Sequence, residues 1–595
     1  MQPDSIVFGA AGFTGRFLVA ELLRRGHAVA AAARSGGESL TSWLEEQGIS
    51  PDGLTVVRAD ITRPGLGLPA EADLAAVRDV YNCAGRYAFG LTAEEARAAN
   101  VTGALHILDW AAGLAKLRRV VHISGYRVGG AKDPRGLGAY EASKVEADVA
   151  VRARARDLDL PLSIANPASV IGPGQFVGLA SVVSDLWHGR LPAVPGGGEV
   201  FVPVVEAGYF AAFMANLPEH DRGPLSAYWV LDDRTPVLPE LVELLAGHMG
   251  VRAPRRTVPV GLLRLLPRAL TGVDPETLSF LSSDRYDTAP ADAFAERTGL
   301  RPPAVEAALT TWADDLVAAR FGQAAAPRGP YGYRRVAGVP TWVEGEPERP
   351  GYVLLHGLPL DSGSWAEVRD GLDAPTLAAD LPGLGRSGPA GGRLTESGAL
   401  PSSNARPSSN ARPADDARFA DRRLPASEWL AELLRPANTR PVLVAHSLAC
   451  IPAIHYAAAH PDRVSRLVLV APAFLQAPSS RLLRSAAAAP LLRRMSAERL
   501  AGTLGVPESP AVATAAANLA RPGAARRVVA AMRAAHAGRE ELRRALDRVE
   551  VPVEIVVGSA NPLTAAVDRP VTTIDGAGHY PQLTHPGELA AIIAG

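Results

Sequence analysis

The sequence predicts an α/β protein in two parts: a doubly wound parallel sheet first, then a second α/β unit with a helical insertion. Three observations predict it. Short apolar runs alternate with longer amphipathic stretches from the start, the pattern of buried parallel strands with helices on both faces. The alternation stops near Gly322, where Gly-Gln-Ala-Ala-Ala-Pro-Arg-Gly-Pro-Tyr-Gly-Tyr-Arg-Arg has the unperiodic Ala, Pro and Gly of a linker, and then resumes. The 595 residues also exceed the ~250–300 at which single cores stop growing.

The first series has strand candidates at Ser5–Phe8, His27–Ala33, Leu54–Ala59, Asp79–Asn82 and Val120–Ser124, and the pattern loosens after about Pro167. The second has Tyr352–Leu355, Pro375–Ala379, Val442–Ala445, Leu467–Val470, Val553–Val557 and Val571–Ile574. A polar tandem repeat, Pro-Ser-Ser-Asn-Ala-Arg, covers Pro401–Pro413 and reads as a surface loop. Arg481–Arg548 is rich in Ala, Leu and Arg at helical spacing, as a cap would be. The domains expected are 1–322, a linker and start of the next at 323–340, and 341–595 with a helical cap over about 475–548.

Hydrophobic residues make up 47% and charged residues 21%, ordinary for a soluble globular protein. Lys+Arg is 61 against 62 Asp+Glu, so no basic surplus points to nucleic acid or an anionic membrane. Cys83 and Cys450 are the only cysteines, which excludes a disulfide framework and fits a reducing cytoplasm. The N-terminus reads as a first strand rather than a signal peptide. No apolar run approaches the ~20 residues that span a bilayer. No metal-ligand spacing stands out. The partner expected is a small-molecule substrate, and a homodimer is among the assemblies the sequence allows.

Gly9-Ala-Ala-Gly12-Phe13-Thr14-Gly15 follows the first strand at once. Glycines there let the turn close and let backbone N–H groups approach a pyrophosphate at a helix N-terminus. The second strand ends in Ala33-Arg34-Ser35. An NAD site usually has a carboxylate here for the ribose 2′-hydroxyl. Arg34 offers a cation to a 2′-phosphate instead, assisted by Arg16. The cofactor expected is therefore NADP(H), with NAD(H) the alternative. In Tyr140-Glu-Ala-Ser-Lys144 the phenol and ammonium share a helix face. The ammonium lowers the phenol's pKa, so Tyr140 can pass a proton to or from a substrate oxygen. Ser124, ending a strand, supplies a hydroxyl to orient that oxygen.

These residues, with Asp60-Ile61, Asn82-Cys-Ala84-Gly85, Asn100-Val-Thr-Gly103 and Asn166-Pro167, resemble the extended short-chain dehydrogenase/reductases in order and spacing over roughly residues 5–320. The resemblance implies a Rossmann sheet. It puts Asp60 near the adenine, Ala84 and Gly85 near the cofactor, and Lys144 on the nicotinamide ribose. The sequence departs from the family in two places. His122-Ile-Ser124-Gly125 has one hydroxyl where the family often has two, so a one-residue shift would put Gly125 at the catalytic position. Val205-Glu206 replaces the commoner Val-Asp.

In the second series, Ala445-His-Ser447-Leu448-Ala449 sits between strand and helix patterns, where a sharp turn raises a serine above the sheet. With His356-Gly357, Asp380-Leu-Pro-Gly-Leu-Gly-Arg-Ser387 and Gly576-Ala-Gly578-His579, it resembles the α/β-hydrolase family over roughly residues 331–595. That resemblance implies Ser447 as nucleophile, His579 as base, and an oxyanion hole from the backbone N–H groups of Leu358 and Leu448. The usual glycines beside the serine are Ala445 and Ala449, each adding a methyl to a tight turn. Asn561 stands where the family has its acid. An amide does not stabilise an imidazolium as a carboxylate does, and Asp→Asn in a serine-protease triad costs ~10⁴ in turnover.

The function expected is an NADP(H)-dependent reductase, dehydrogenase or epimerase fused to a serine-type hydrolase acting on an ester or thioester, or transferring an acyl group. Two rivals stay open. The second domain is a degenerate module for binding or dimerising, or the first senses NADP(H) without turnover.

Overall fold

The computed structural model describes residues 2–34, 36–86, 91–128, 138–259, 281–390 and 426–595. Ser35 and the repeat Pro401–Pro413 lie outside these. Two compact units emerge. One comprises Met1–Val182, Pro192–Glu243 and Pro254–Trp312; the other Val183–Leu191, Leu244–Ala253 and Ala313–Gly595.

The first unit is built on strands β1 (Ser5–Phe8), β2 (Val29–Ala33), β3 (Leu54–Arg58), β4 (Asp79–Asn82), β5 (Arg119–Ile123), β6 (Leu162–Pro167) and β7 (Leu225–Val230). They form one parallel sheet in the order β7-β6-β5-β4-β1-β2-β3. The continuous apolar runs have a plain cause: Ile6, Val7, Phe8, Val120, Leu162 and Ile164 are fully buried between helices on both faces. Helix α1 (Phe13–Arg24) turns Leu18, Val19 and Leu22 inward. Helix α2 (Ala139–Asp157) buries Ala147, Val151 and Ala155 at spacings of four residues. Strand order reverses between β1 and β4, the place in a doubly wound sheet where ligands bind outside the C-terminal ends of the strands.

The second unit carries an eight-stranded sheet of β8 (Tyr331–Val336), β9 (Val339–Gly345), β10 (Tyr352–Leu355), β11 (Thr376–Ala379), β12 (Val442–His446), β13 (Arg466–Val470), β14 (Val553–Gly558) and β15 (Val571–Ile574). Its order is β8-β9-β11-β10-β12-β13-β14-β15. β8 and β9 run antiparallel to their neighbours and the rest are parallel. Between β13 and β14 lie helices Ala488–Arg493, Ala497–Leu504, Pro510–Ala520, Ala524–Ala537 and Arg539–Asp547, where a cap was expected. Helix α3 (Cys450–Ala459) follows β12.

Each sequence-predicted strand is present, with ends shifted by at most two residues. The stretch that reads as linker contains β8 from Tyr331 on. β8 is an edge strand with Arg334 and Arg335 exposed, so it shows no apolar run. Among the described residues no helix is long and apolar enough to cross a membrane.

Candidate active sites

The glycine turn of the first unit is required by its surroundings. Gly9 has φ +78°, and a β-carbon on Gly15 would stand 2.1 Å from the Gly9 carbonyl oxygen. The turn therefore closes only without side chains. It leaves Gly12 capping α1 with no side-chain hydrogen bond to the helix's first N–H groups, which suits an anion.

Beside the turn is a cavity of about 490 Å³ lined by Gly12, Phe13, Thr14, Ala84, Gly85, Ser124, Tyr140, Lys144 and Pro167. Its remaining wall is largely apolar, including Val177, Val182, Val202, Leu238 and Trp312. Lys144 Nζ donates to the Ile123 carbonyl at 3.4 Å, and burial lowers its ammonium to about 8. The Ser124 hydroxyl is buried and has no hydrogen-bond partner among the described residues. Gly125 lines the same cavity.

Asn100 joins the loop after β4 to α2. Its Oδ1 accepts from the Arg86 N–H at 2.9 Å, and its Nδ2 donates to Ser143 Oγ at 2.9 Å. Ser143 Oγ in turn donates to the Tyr140 carbonyl at 2.7 Å. Asn100 sits in a widened π turn, Ala98–Thr102. Asn82 braces the same loop, its Oδ1 accepting from Ala84 N–H at 3.1 Å and its Nδ2 contacting His122 Nδ1 at 3.0 Å. Burial pushes His122 down to about 3, so the ring is a neutral acceptor.

The outer residues divide. Arg34 is exposed at the end of β2. Asp60 Oδ1 accepts from Thr62 N–H at 3.0 Å and Thr62 Oγ1 at 2.7 Å. These bonds, then the charges of Arg63 and Arg34, hold its carboxyl below the usual range. Ile61 packs on Gly103, where a β-carbon would meet its Cδ1 at 2.6 Å. Arg16, expected beside Arg34, rests on aromatic rings. Its guanidinium lies 4.8 Å from the Trp43 ring centroid and 5.5 Å from that of Phe13, and donates to the Pro173 carbonyl at 2.7 Å. Phe13 and Phe17, one helical turn apart, form the ring platform that holds it. Glu206, where the family has Asp, caps helix Ala207–His220 through Gly208 N–H at 2.8 Å and Tyr209 N–H at 2.6 Å.

In the second unit the turn after β12 puts Ser447 at φ +54°, a conformation that side chains resist. The flanking Ala445 and Ala449 are accommodated fully buried. His579 Nε2 lies 2.9 Å from Ser447 Oγ. On its other side, His579 Nδ1 meets two amides: Gln476 Oε1 at 2.9 Å and Asn561 Nδ2 at 3.0 Å. Burial lowers His579 to about 4. A β-carbon on Gly357 would stand 2.7 Å from Ser447 Cβ, so the loop leading to Leu358 passes directly over the serine, and Leu448 follows it in the chain. Tyr580 OH donates to the Leu358 carbonyl at 3.0 Å.

Two participants were not foreseen. Gln476 is one. His446 is the other: its Nε2–H donates to the His579 carbonyl at 2.7 Å, and its Nδ1 accepts from Gln582 Nε2 at 3.2 Å. Burial first, then neighbouring His579, holds His446 well below its ordinary value. It is thus a neutral tether between the turn and the loop carrying His579. Only its place beside Ser447 hinted at this.

The Asp380–Ser387 motif serves a buried charge cluster instead of the reacting pair. Arg386 Nε lies 3.1 Å from Asp380 Oδ2, and Arg386 Nη2 lies 2.8 Å from Glu344 Oε1 and 3.6 Å from Asp361 Oδ1. Asn518 Nδ2 donates to Asp361 Oδ2 at 2.8 Å. Burial, more than the neighbouring charges, raises Asp361 to about 7.

Residues 7–192 match the family model described as Male sterility protein, a group of NAD-binding domains, and residues 352–592 match that of the Alpha/beta hydrolase family. No curated protein matches the chain. Among solved structures, the terminal R domain from the myxalamid PKS-NRPS biosynthetic pathway is 21% identical, with 55% of this chain and 93% of that one covered and a TM-score of 0.45. A mutant UDP-glucuronic acid 4-epimerase from Bacillus cereus, in complex with UDP-4-deoxy-4-fluoro-glucuronic acid and NAD, is 16% identical, with 52% and 98% covered and a TM-score of 0.41. A UDP-galactose 4-epimerase is 20% identical, with 52% and 98% covered and a TM-score of 0.39. The chain thus carries an N-terminal stretch that matches a family of NAD-binding domains and a C-terminal stretch that matches the Alpha/beta hydrolase family.

Proposed function

We propose that the first unit is an NADPH-dependent oxidoreductase acting on the carbonyl or carbinol carbon of a small, largely apolar substrate. The observation that carries this reading is the meeting of Tyr140, Lys144 and the unbonded Ser124 hydroxyl on one cavity beside the glycine turn. The residues fit a dinucleotide: side chains are excluded at Gly9 and Gly15, and the first N–H groups of α1 have no side-chain cap. Gly12, Thr14, Ala84 and Gly85 would hold it, with Lys144 on its ribose and Arg34 at a 2′-phosphate. When bound, it supplies or accepts hydride. Ser124 Oγ hydrogen-bonds the substrate oxygen, which satisfies a hydroxyl otherwise buried at a cost of about 1–3 kcal/mol. Tyr140 gives that oxygen a proton in reduction or takes it in oxidation, and the Lys144 ammonium stabilises the phenolate left behind.

The second unit, in our reading, is a weakened serine hydrolase or acyltransferase. The 2.9 Å contact of His579 Nε2 with Ser447 Oγ supports it. Two amides in place of the acid favour a second reading, a binding module that keeps the turn without turnover. The test of the first unit is NADPH oxidation by the full chain against a panel of aliphatic and aromatic aldehydes and ketones, with the reverse reaction on the alcohols. Turnover lost in Tyr140→Phe supports the reading. Dinucleotide binding with no turnover of any panel member overturns it. For the second unit, hydrolysis of aryl esters that vanishes in Ser447→Ala decides between hydrolase and binding module.

A further inference from the structure

His579 Nδ1 stands between two amides that ask it for opposite things. An amide oxygen, Gln476 Oε1 at 2.9 Å, needs a proton on Nδ1. An amide nitrogen, Asn561 Nδ2 at 3.0 Å, needs Nδ1 bare. A neutral imidazole has one N–H. With the proton on Nδ1, the Nε2 lone pair faces Ser447 Oγ and can take its proton. With the proton on Nε2, the ring can only donate toward Ser447 and cannot act as base.

We propose that Gln476 is the positioning residue that holds His579 in the base-competent tautomer, standing in for the missing acid; this rests on Ser447 and His579 being the reacting pair. Gln476 is only 2% exposed. Its Nε2 donates to the Asn561 backbone carbonyl at 2.7 Å. A carbonyl accepts only from the nitrogen end, so Oε1 is turned to His579 by chemistry. Arg539 holds the backbone carbonyl of Gln476, and the preceding Leu475 carbonyl accepts from Thr564 N–H at 2.8 Å. The Asn561 side chain has no second hydrogen bond among the described residues. It can turn its oxygen to the ring once Gln476 has set the proton. Gln476 lies six residues beyond β13, on the connection entering the cap, and Asn561 lies after β14. The two strand ends thus present two amides to one nitrogen.

The surroundings leave this neutral. The ionisable groups about His579 are His446, with ring centroid at 5.1 Å, Tyr580 at 4.9 Å, and Arg539 on the Gln476 backbone. Among the described residues no carboxylate is hydrogen-bonded to the ring. Burial holds His579 at about 4, so the base form persists far into acid.

The test is the rate at which a fluorophosphonate probe labels Ser447 in the full chain. Ser447 Oγ forms a bond to phosphorus, the P–F bond breaks, His579 Nε2 takes the hydroxyl proton, and fluoride leaves. In the unmodified protein the rate should stay flat from about pH 8 to 5 and fall only near 4. Gln476→Met keeps the volume but removes the acceptor, and should cut labelling at least tenfold with unfolding temperature near that of the parent. Adding Asn561→Asp to Gln476→Met restores an acceptor and should restore labelling. Gln476→Glu should raise the plateau rate by about tenfold or more and move the acid limb up toward the ordinary histidine value near 6.5. A folding role alone would move neither the limb nor the rescue. Labelling of Gln476→Met at the parent rate, or an unmoved limb in Gln476→Glu, overturns the assignment of Gln476. Failure of every variant to label overturns the Ser447–His579 reading itself.

Discussion

A β-carbon on Gly9 would stand 2.8 Å from both Cα and the backbone nitrogen of Ala84. The turn after β1 and the loop after β4 are thus in backbone contact where the strand order reverses. Gly9→Ala must also hold a side chain at φ +78°, at a cost of order 1–3 kcal/mol before any clash. We expect a lowered unfolding temperature and weakened NADPH binding by fluorescence titration. Gly125→Ala, with no atom within 4 Å of its β-carbon, should leave unfolding unchanged. Equal behaviour of the two would refute the packing argument.

Arg34 is the exposed cation at the end of β2, and Arg16 is committed to the Trp43 and Phe13 rings. Arg34→Ala alone should therefore remove most of any preference for NADPH over NADH, of the order of tenfold or about 1.4 kcal/mol. Isothermal titration with both cofactors checks this. Tighter NADH binding by the parent would sink the expectation.

Lys144 and Tyr140 separate stability from turnover. Burial holds Lys144 at about 8, below the ordinary value near 10.4. Between about 8 and 10 the unfolded chain binds the extra proton, so this group's contribution to stability rises with pH there, and its penalty is complete below 8. Lys144→Met should therefore raise the unfolding temperature at pH 7 without cofactor, while abolishing turnover and weakening binding. Tyr140→Phe should abolish turnover with binding nearly intact.

Asp361 predicts the opposite slope. Its carboxyl, raised to about 7, keeps a proton that the unfolded chain gives up near 4. The unfolded state binds fewer protons across that window, so this group's contribution to stability falls as pH rises from 4 to 7. Thermal unfolding of the full chain should show a loss from pH 5 to 8 that Asp361→Asn flattens. An identical slope in the variant would remove Asp361 as its source.

Much of this arrangement is legible in the sequence because buried parallel strands leave apolar runs that need no partner to be seen. Gly9, Gly15 and Ser447 were readable because a turn of fixed shape restricts residue type locally. β8 was hidden because half its surface faces outward, with Arg334 and Arg335 exposed. The seat of Arg16 was hidden because its charge is visible in the chain whereas the Trp43 ring it rests on is not adjacent. Gln476 was invisible for a related reason. It lies 103 positions before His579 in a connection with no motif, and only the parallel pairing of β13 with β14 brings the two strand ends together.

The π turn at Ala98–Thr102 holds one consequence for the length of the chain. Regular helix advances about 100° per residue, and a widened turn absorbs one residue beyond the regular repeat. Removing one residue between Ala98 and Thr102 would return the segment to ordinary phase. The helices on either side would keep their phase, and the residues of the turn itself would take new positions around the axis. The Asn100 amide would swing off Arg86 and Ser143, and the Tyr140 end of α2 would lose its brace with no catalytic side chain altered. Lineages of this chain should therefore tolerate exchanges of side chain in this turn more readily than a change in its residue count.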